Sequence, residues 1–162
     1  PQEVQKKVVH QKSYWDQNSS SLLGDYLQQE LDAKERIVLE NESFVALVPY
    51  WAVWPFETMI IPKRHITFIL ELSQQEVSDY ASILKALTIR YDNLFETSFP
   101  YSAGIHQAPT DGEDNSHWHM HMSFYPPLLR SAFSSNHRTT SSLQRHLYVI
   151  DLPAFTDSMT IP

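Results

Sequence analysis

The sequence contains no cysteine and only 3 glycines among its 162 residues. Without cysteine the chain cannot form a disulfide, a thiolate zinc site or a cysteine nucleophile, and this absence fits a reducing compartment. Neither of the common glycine-rich phosphate motifs, G-x-G-x-x-G and G-x-x-x-x-G-K, occurs in it. Any chemistry must therefore come from other side chains.

Long hydrophobic runs and positive charge are also scarce. No apolar stretch has membrane-spanning length, and there is no signal-peptide pattern or lipidation motif. The formal charge of -7 disfavours a nucleic-acid partner, because affinity for nucleic acid depends on basic patches. We expect a cytoplasmic protein with neither a membrane nor a nucleic-acid partner. Since 42% of the residues are hydrophobic, the chain can bury one core as a single globular domain.

The hydrophobic pattern predicts two helices within residues 1–34, separated at residues 18–21, whose side chains offer N-cap oxygens. Val4, Val8 and Val9 are spaced for one face of the first helix. The chain begins at Pro1 without a methionine, which indicates a processed or excised piece.

The next segments predict a sheet and one long helix. Residues 36–40 and 43–49 are typical of a hairpin, and the apolar run 57–62 is typical of a strand buried on both faces. A capping box at residues 73–76 begins a helical stripe that continues to about residue 96. The pattern of residues 101–108 again predicts a strand. After Ala132 the chain is rich in serine and threonine without a clear period, so we expect an irregular tail.

Histidines recur at every second position from residue 117 to residue 121. In an extended strand alternate side chains share a face, so His117, His119, His121 and Ser123 lie on one side, with apolar residues on the other. Three imidazoles on a covered face favour metal ligation, phosphate contact or acid-base chemistry. The alternative is an exposed edge strand whose histidines are simply solvated.

Two chemical interpretations of this strand remain open. His106, together with His119 or His121, has the ligand type that zinc or iron accepts, although a carboxylate partner is identified by type alone, from Glu3, Glu113 and Asp114. Alternatively, His119 acts as a nucleophile toward a phosphate, since the alternation resembles the motif of histidine-triad nucleotide hydrolases. The basic group Lys63-Arg64-His65 could contact an anion, but a solvated loop is the simpler interpretation.

Several aromatic and proline-rich stretches closely resemble the C-terminal half of the galactose-1-phosphate uridylyltransferase family. They are residues 48–58 (VPYWAVWPFET), 90–95 (RYDNLF), 98–102 (SFPYS), His117-Trp118 and 124–132 (FYPPLLRSA). The resemblance covers about residues 1–132, so we assign these to the family's C-terminal domain and residues 133–162 to a divergent tail. It implies an α+β fold, an antiparallel sheet flanked by helices, related to the histidine-triad superfamily.

The resemblance also implies a function: exchange of uridylyl between UDP-glucose and galactose 1-phosphate, in a homodimeric cytosolic enzyme of galactose metabolism. The family's nucleophilic His-Pro-His motif and its zinc-binding cysteines are absent from this sequence. No catalytic residue transfers, so we expect the chain alone to be inactive, as a domain that supports the fold and the dimer or binds the missing N-terminal half. The alternatives are a free-standing histidine-triad hydrolase that uses His119, or a silent remnant.

The family's structural iron site transfers only in part. Its histidine ligands match His106 and His121, whereas its third histidine falls on Ser123 and its glutamate on Lys7. His119 stands where the family usually has glutamine, and we include it as a substitute ligand. The prediction is therefore an iron or zinc site at His106, His121 and His119, with two family ligands replaced.

Overall fold

The computed structural model describes residues 2–96 and 100–126, with side chains from residue 8 onward. The predicted tail lies outside these residues. The elements in chain order are α1 (Gln2–Asn18), α2 (Leu22–Ala33), β1 (Ile37–Glu40), β2 (Phe44–Leu47), β3 (Thr58–Pro62), a 3-10 turn (Ile69–Glu71), α3 (Gln74–Phe95), β4 (Ser102–His106) and β5 (His121–Tyr125). Among the described residues no helix is both long and apolar enough to cross a membrane.

The five strands form one antiparallel sheet in the order β1-β2-β3-β5-β4. Three strands follow one another as a meander, and α3 then carries the chain across to β4. The last strand, β5, inserts between β3 and β4, so that Ile60 pairs with Met122 on one side and His106 pairs with His121 on the other. This confirms the predicted fold class: α+β, an antiparallel sheet flanked by helices.

Both faces of the central strands are buried, because helices cover the sheet on two sides. Side chains from β2, β3 and β5 pack with α3 in one cluster, which consists of Phe44, Ala46, Ile60, Ile66, Ile83, Leu87, Tyr91, Met120 and Phe124. The alternate residues of β2 and β3 pack with α2 in a second cluster of Leu27, Val45, Leu47, Met59 and Ile61. All five residues of β3 are buried, as the apolar run 57–62 predicted.

The helix boundaries follow local capping chemistry. The Ser21 side chain caps α2 by accepting a hydrogen bond from the Gly24 N–H at 3.0 Å. The predicted capping box of α3 is present, with Ser73 and Glu76 each accepting the other's backbone N–H. The break between the first two helices was therefore predictable from the serine oxygens near residue 20.

Two predictions of detail are wrong. Val9 is 63% exposed, whereas Gln11 is buried, so among the described side chains of α1 Val9 does not lie on a buried face; Val4 is outside the described side chains. The histidine strand begins at His121 rather than His117. The preceding residues bond to the loop that follows β3: the Met120 N–H donates to the Ile66 carbonyl at 2.8 Å. Those loop contacts replace the ladder that the alternation had indicated.

Candidate functional site

The histidine row is buried, partly in β5 and partly in the segment that precedes it. His117 is 4% exposed, His119 1%, His121 2% and Ser123 2%. Because β5 pairs with strands on both sides, it is not an edge strand, and the interpretation of solvated edge histidines is wrong. Buried polar groups require partners, so the partners of each imidazole define what it can do.

Both ring nitrogens of His119 are engaged by the protein. Nε2 lies 3.0 Å from the Pro62 carbonyl oxygen, and Nδ1 lies 2.9 Å from Ser21 Oγ. A carbonyl only accepts, so Nε2 carries the proton and Nδ1 accepts from the Ser21 hydroxyl. Burial lowers the pKa of His119 to about 4, so this tautomer is neutral at physiological pH. A neutral, doubly bonded imidazole has no lone pair available for a metal or a phosphate.

His121 and His106 lie side by side across the β4–β5 pair. Their rings stack at a centroid distance of 4.8 Å with an interplanar angle of 15°. His121 Nδ1 lies 3.0 Å from the His119 carbonyl oxygen, so Nδ1–H donates to it. The Tyr125 hydroxyl is 3.5 Å from His106 Nε2. The structure thus brings together two of the three predicted metal residues.

His117 lies in the irregular segment that precedes β5. Burial and Lys12 lower its pKa, while Asp114, Asp16 and Asp111 act in the opposite direction. Its Nε2 has no hydrogen-bond partner among the described residues, and neither has Nε1 of the neighbouring Trp118.

The basic group after β3 is occupied by protein partners. Lys63 bonds to Glu40 at 2.7 Å, Arg64 forms two 2.8 Å contacts with Glu76, and His65 Nε2–H donates to the Trp118 carbonyl. The Arg64 side chain is 51% exposed. Because these three residues are exposed and already have protein partners, the structure favours the simpler interpretation, a solvated loop.

Sequence reasoning missed the contact between Ser21 and His119. The two residues are 98 positions apart, and the serine gave only the local signal of an N-cap. Gly24 belongs to the same group, because a Cβ added there would lie 2.6 Å from Ser21 Oγ and 3.4 Å from His119 Nδ1. The hydrophobic periodicity of the sequence gives no signal for this close approach of α2 to His119.

We expect the substitution Gly24→Ala to destabilise the protein by about 1–3 kcal/mol, although alanine is the better helix former by about 1 kcal/mol. The new methyl group displaces the Ser21 hydroxyl, which leaves the Gly24 N–H and His119 Nδ1 without their partner. Urea unfolding measures the loss. Gly104→Ala is the control, since a Cβ there meets nothing within 4 Å. An equally stable Gly24→Ala variant would contradict the packing described.

Comparison with known proteins identifies the family of this chain. The family model "Galactose-1-phosphate uridyl transferase, C-terminal domain" matches residues 7–136. The chain belongs to this uridylyltransferase family. Galactose-1-phosphate uridylyltransferase from Haemophilus influenzae is 57% identical over 132 residues, which cover 82% of this chain and 38% of that protein. The enzyme from Kluyveromyces lactis is 56% identical over 135 residues, covering 82% and 36%.

Solved structures agree with the family assignment. A structure described as uridylyltransferase superposes with a TM-score of 0.71 at 29% identity, covering 78% of this chain and 39% of the other. An ADP-glucose phosphorylase from Arabidopsis thaliana shares the fold, with a TM-score of 0.67 at 22% identity, covering 90% and 44%. The chain thus spans less than half the length of the relatives that it matches. These relatives do not favour the alternative of a free-standing hydrolase.

The donor set of this site matches only in part the metal site that the family resemblance implies. Two imidazoles, His106 and His121, lie together, and Ser123 follows on the same face of β5, opposite Gly104. Among the described residues, no three His, Asp or Glu side chains converge as a metal-binding group. The predicted carboxylate Glu3 and the replaced position Lys7 have side chains outside the described part. The described donors fall short of a complete structural site, so no chemical step is assigned to a metal.

Proposed function

We propose that this chain is the C-terminal domain of a UDP-glucose:hexose-1-phosphate uridylyltransferase and that it supports the fold of the complete enzyme without supplying the nucleophile. The observation that carries the proposal is the family match over residues 7–136. The hydrogen bonds of His119 support its second part, because both ring nitrogens are already in use. UDP-glucose and galactose 1-phosphate are the proposed substrates of the complete enzyme.

Uridylyl exchange tests this proposal directly. The purified chain, incubated with UDP-glucose and galactose 1-phosphate, should form no UDP-galactose above background. The full-length Haemophilus influenzae enzyme serves as the positive control. Adding the separately produced N-terminal part of that enzyme should restore turnover if the two parts assemble. Turnover by the chain alone, or a covalent nucleotide label lost in His119→Ala, would contradict the absence of a nucleophile.

We further propose that the domain associates with a second copy or with the missing N-terminal half, in the cytoplasm. Exposed apolar side chains in the loop between β2 and β3 support association, since Tyr50 is 77% exposed and Val53 is 73% exposed. Sedimentation of the chain, alone and mixed with the N-terminal part, measures both forms. A chain that remains monomeric in both experiments would contradict this proposal.

We propose that any iron or zinc held by this chain binds at His106 and His121 and exchanges readily. Two imidazoles with nearly parallel rings support a weak site, because stable structural sites use about four ligands. We do not include His119 among the proposed metal ligands, since its two ring nitrogens bond to Ser21 and Pro62.

Metal analysis with a variant that adds a ligand tests this proposal. We expect the wild-type chain to retain less than one equivalent of Fe or Zn after dialysis and His121→Ala to retain none. Ser123→His adds a third imidazole on the same face of β5 and should tighten Zn binding by about tenfold or more. Thr58→His, on β3 opposite Phe124, is the matched control. Stoichiometric metal in the wild type that survives His121→Ala would contradict the proposed ligands.

A further inference from the structure

His119 connects three separate parts of the fold. Its Nδ1 accepts from Ser21, the N-cap of α2, and its Nε2–H donates to Pro62, the last residue of β3. Ser21 Oγ in turn accepts from the Gly24 N–H. The side chain is 1% exposed, so water does not compete for these bonds. The ring therefore fixes the backbone of residue 119 relative to both the helix layer and the sheet.

The backbone carbonyl of His119 makes a further contact, to the next histidine of the row. It accepts from His121 Nδ1–H at 3.0 Å. A hydrogen bond to one ring nitrogen determines which nitrogen carries the proton and which carries the lone pair. We propose that His119 is a positioning residue, anchored by Ser21 and Pro62, whose own carbonyl holds His121 in the Nδ1–H tautomer beside His106.

Chemical equivalence with glutamine supports this role. A glutamine side chain offers one N–H donor group and one carbonyl acceptor at its end, which is the same pair that the neutral imidazole presents to Pro62 and Ser21. In this proposal residue 119 contributes a donor and acceptor pair rather than imidazole reactivity, and His119→Gln keeps that pair. Neither metal ligation nor uridylyl transfer enters the inference, so failure of those proposals leaves it unchanged.

Histidine tautomers in the full chain give a direct test. Long-range ¹H–¹⁵N correlation spectra of the ¹⁵N-histidine-labelled protein at neutral pH distinguish protonated from unprotonated ring nitrogens. We expect a single Nε2–H form for His119 and a single Nδ1–H form for His121. In His119→Ala, His121 should shift to a mixture of both tautomers, whereas His119→Gln should keep the Nδ1–H form.

A second variant covers the case in which His119→Ala does not fold. Ser21→Ala keeps residue 119 intact but removes its anchor, so the His121 nitrogen signals should shift toward tautomer averaging. Ser73→Ala removes the corresponding N-cap of α3, whose side-chain partner is the Glu76 N–H and not a histidine, and should leave those signals unchanged. The proposal is overturned if His121 keeps a single Nδ1–H form in both His119→Ala and Ser21→Ala, if His119→Gln loses that form, or if His119 carries its proton on Nδ1.

Discussion

Replacing Phe124 with alanine is expected to lower the free energy of unfolding by about 3–5 kcal/mol, a large part of the roughly 5–15 kcal/mol that stabilises an ordinary domain. The side chain is fully buried in β5 and packs against the rings of Tyr91 and Tyr101, at centroid distances of 6.2 and 5.2 Å. The substitution leaves a cavity between the sheet and α3, which neighbouring side chains fill only in part.

The neighbouring residue provides the control for Phe124. Tyr125 lies next to it on β5 but points to the other face, and it is 36% exposed. Tyr125→Ala should therefore cost only about 1 kcal/mol. Urea unfolding of both variants, followed by circular dichroism, gives the comparison. Equal losses would mean that the two residues are buried to a similar degree, against the alternation of the strand.

Arg36→Met is expected to cost about 3 kcal/mol, because it leaves a buried carboxylate without its positive partner. Glu30 on α2 is 2% exposed, and its Oε1 accepts from Arg36 Nε at 2.8 Å. Its other oxygen has no partner among the described residues. Without Arg36, nothing offsets the cost of removing the Glu30 carboxylate from water, and this cost destabilises the folded state alone.

Two further variants separate charge burial from lost packing. The double variant Glu30→Leu with Arg36→Met removes both charges, so it should be more stable than Arg36→Met alone. Arg64→Met breaks an exposed pair with Glu76 and should cost under about 1 kcal/mol. If Arg36→Met and Arg64→Met lose the same stability in urea, the burial of Glu30 does not determine the cost.

The exposed pair also has a distinct pH dependence. The hydrogen bonds from Arg64 are the largest cause that lowers the pKa of Glu76, from 4.5 to about 2. A depressed carboxyl pKa stabilises the folded state above the unfolded-state value, and that contribution is lost as the pH falls from 4.5 toward 2. We expect the stability difference between Arg64→Met and the wild type to disappear over this range, as measured by unfolding at successive pH values.

Elements governed by local chemistry could be predicted from the sequence. The serine caps, the capping box at Ser73 and the alternating or continuous apolar runs identified both capped helices and the first three strands within one or two residues. The resemblance gave the fold class and the family, which the comparisons confirmed. The assignment of residues 133–162 as a divergent tail remains a prediction.

The candidate site could not be derived in the same way, because its determinants are distant in sequence. The alternation identified the histidine row, but it left open whether that row is covered or solvated, and it gave no account of the partners that the buried His119 and His121 have. Ser21 and Pro62 reach His119 only after α2 and β3 have packed together. The backbone bond from Met120 to the Ile66 carbonyl lies before the first residue of β5, so a local pattern of perfect period predicted a strand that begins too early.

The insertion of β5 between β3 and β4 also has a consequence for the order of folding. The pairs within the β1–β2–β3 meander close short loops, whereas Ile60 must meet Met122 across the entire α3 segment. Closing a longer loop costs more chain entropy, so the meander can assemble before its long-range neighbour arrives. We therefore expect the strand that carries His121 to pair after the meander has formed, and the bonds from His119 to Ser21 and Pro62 to form at that late stage.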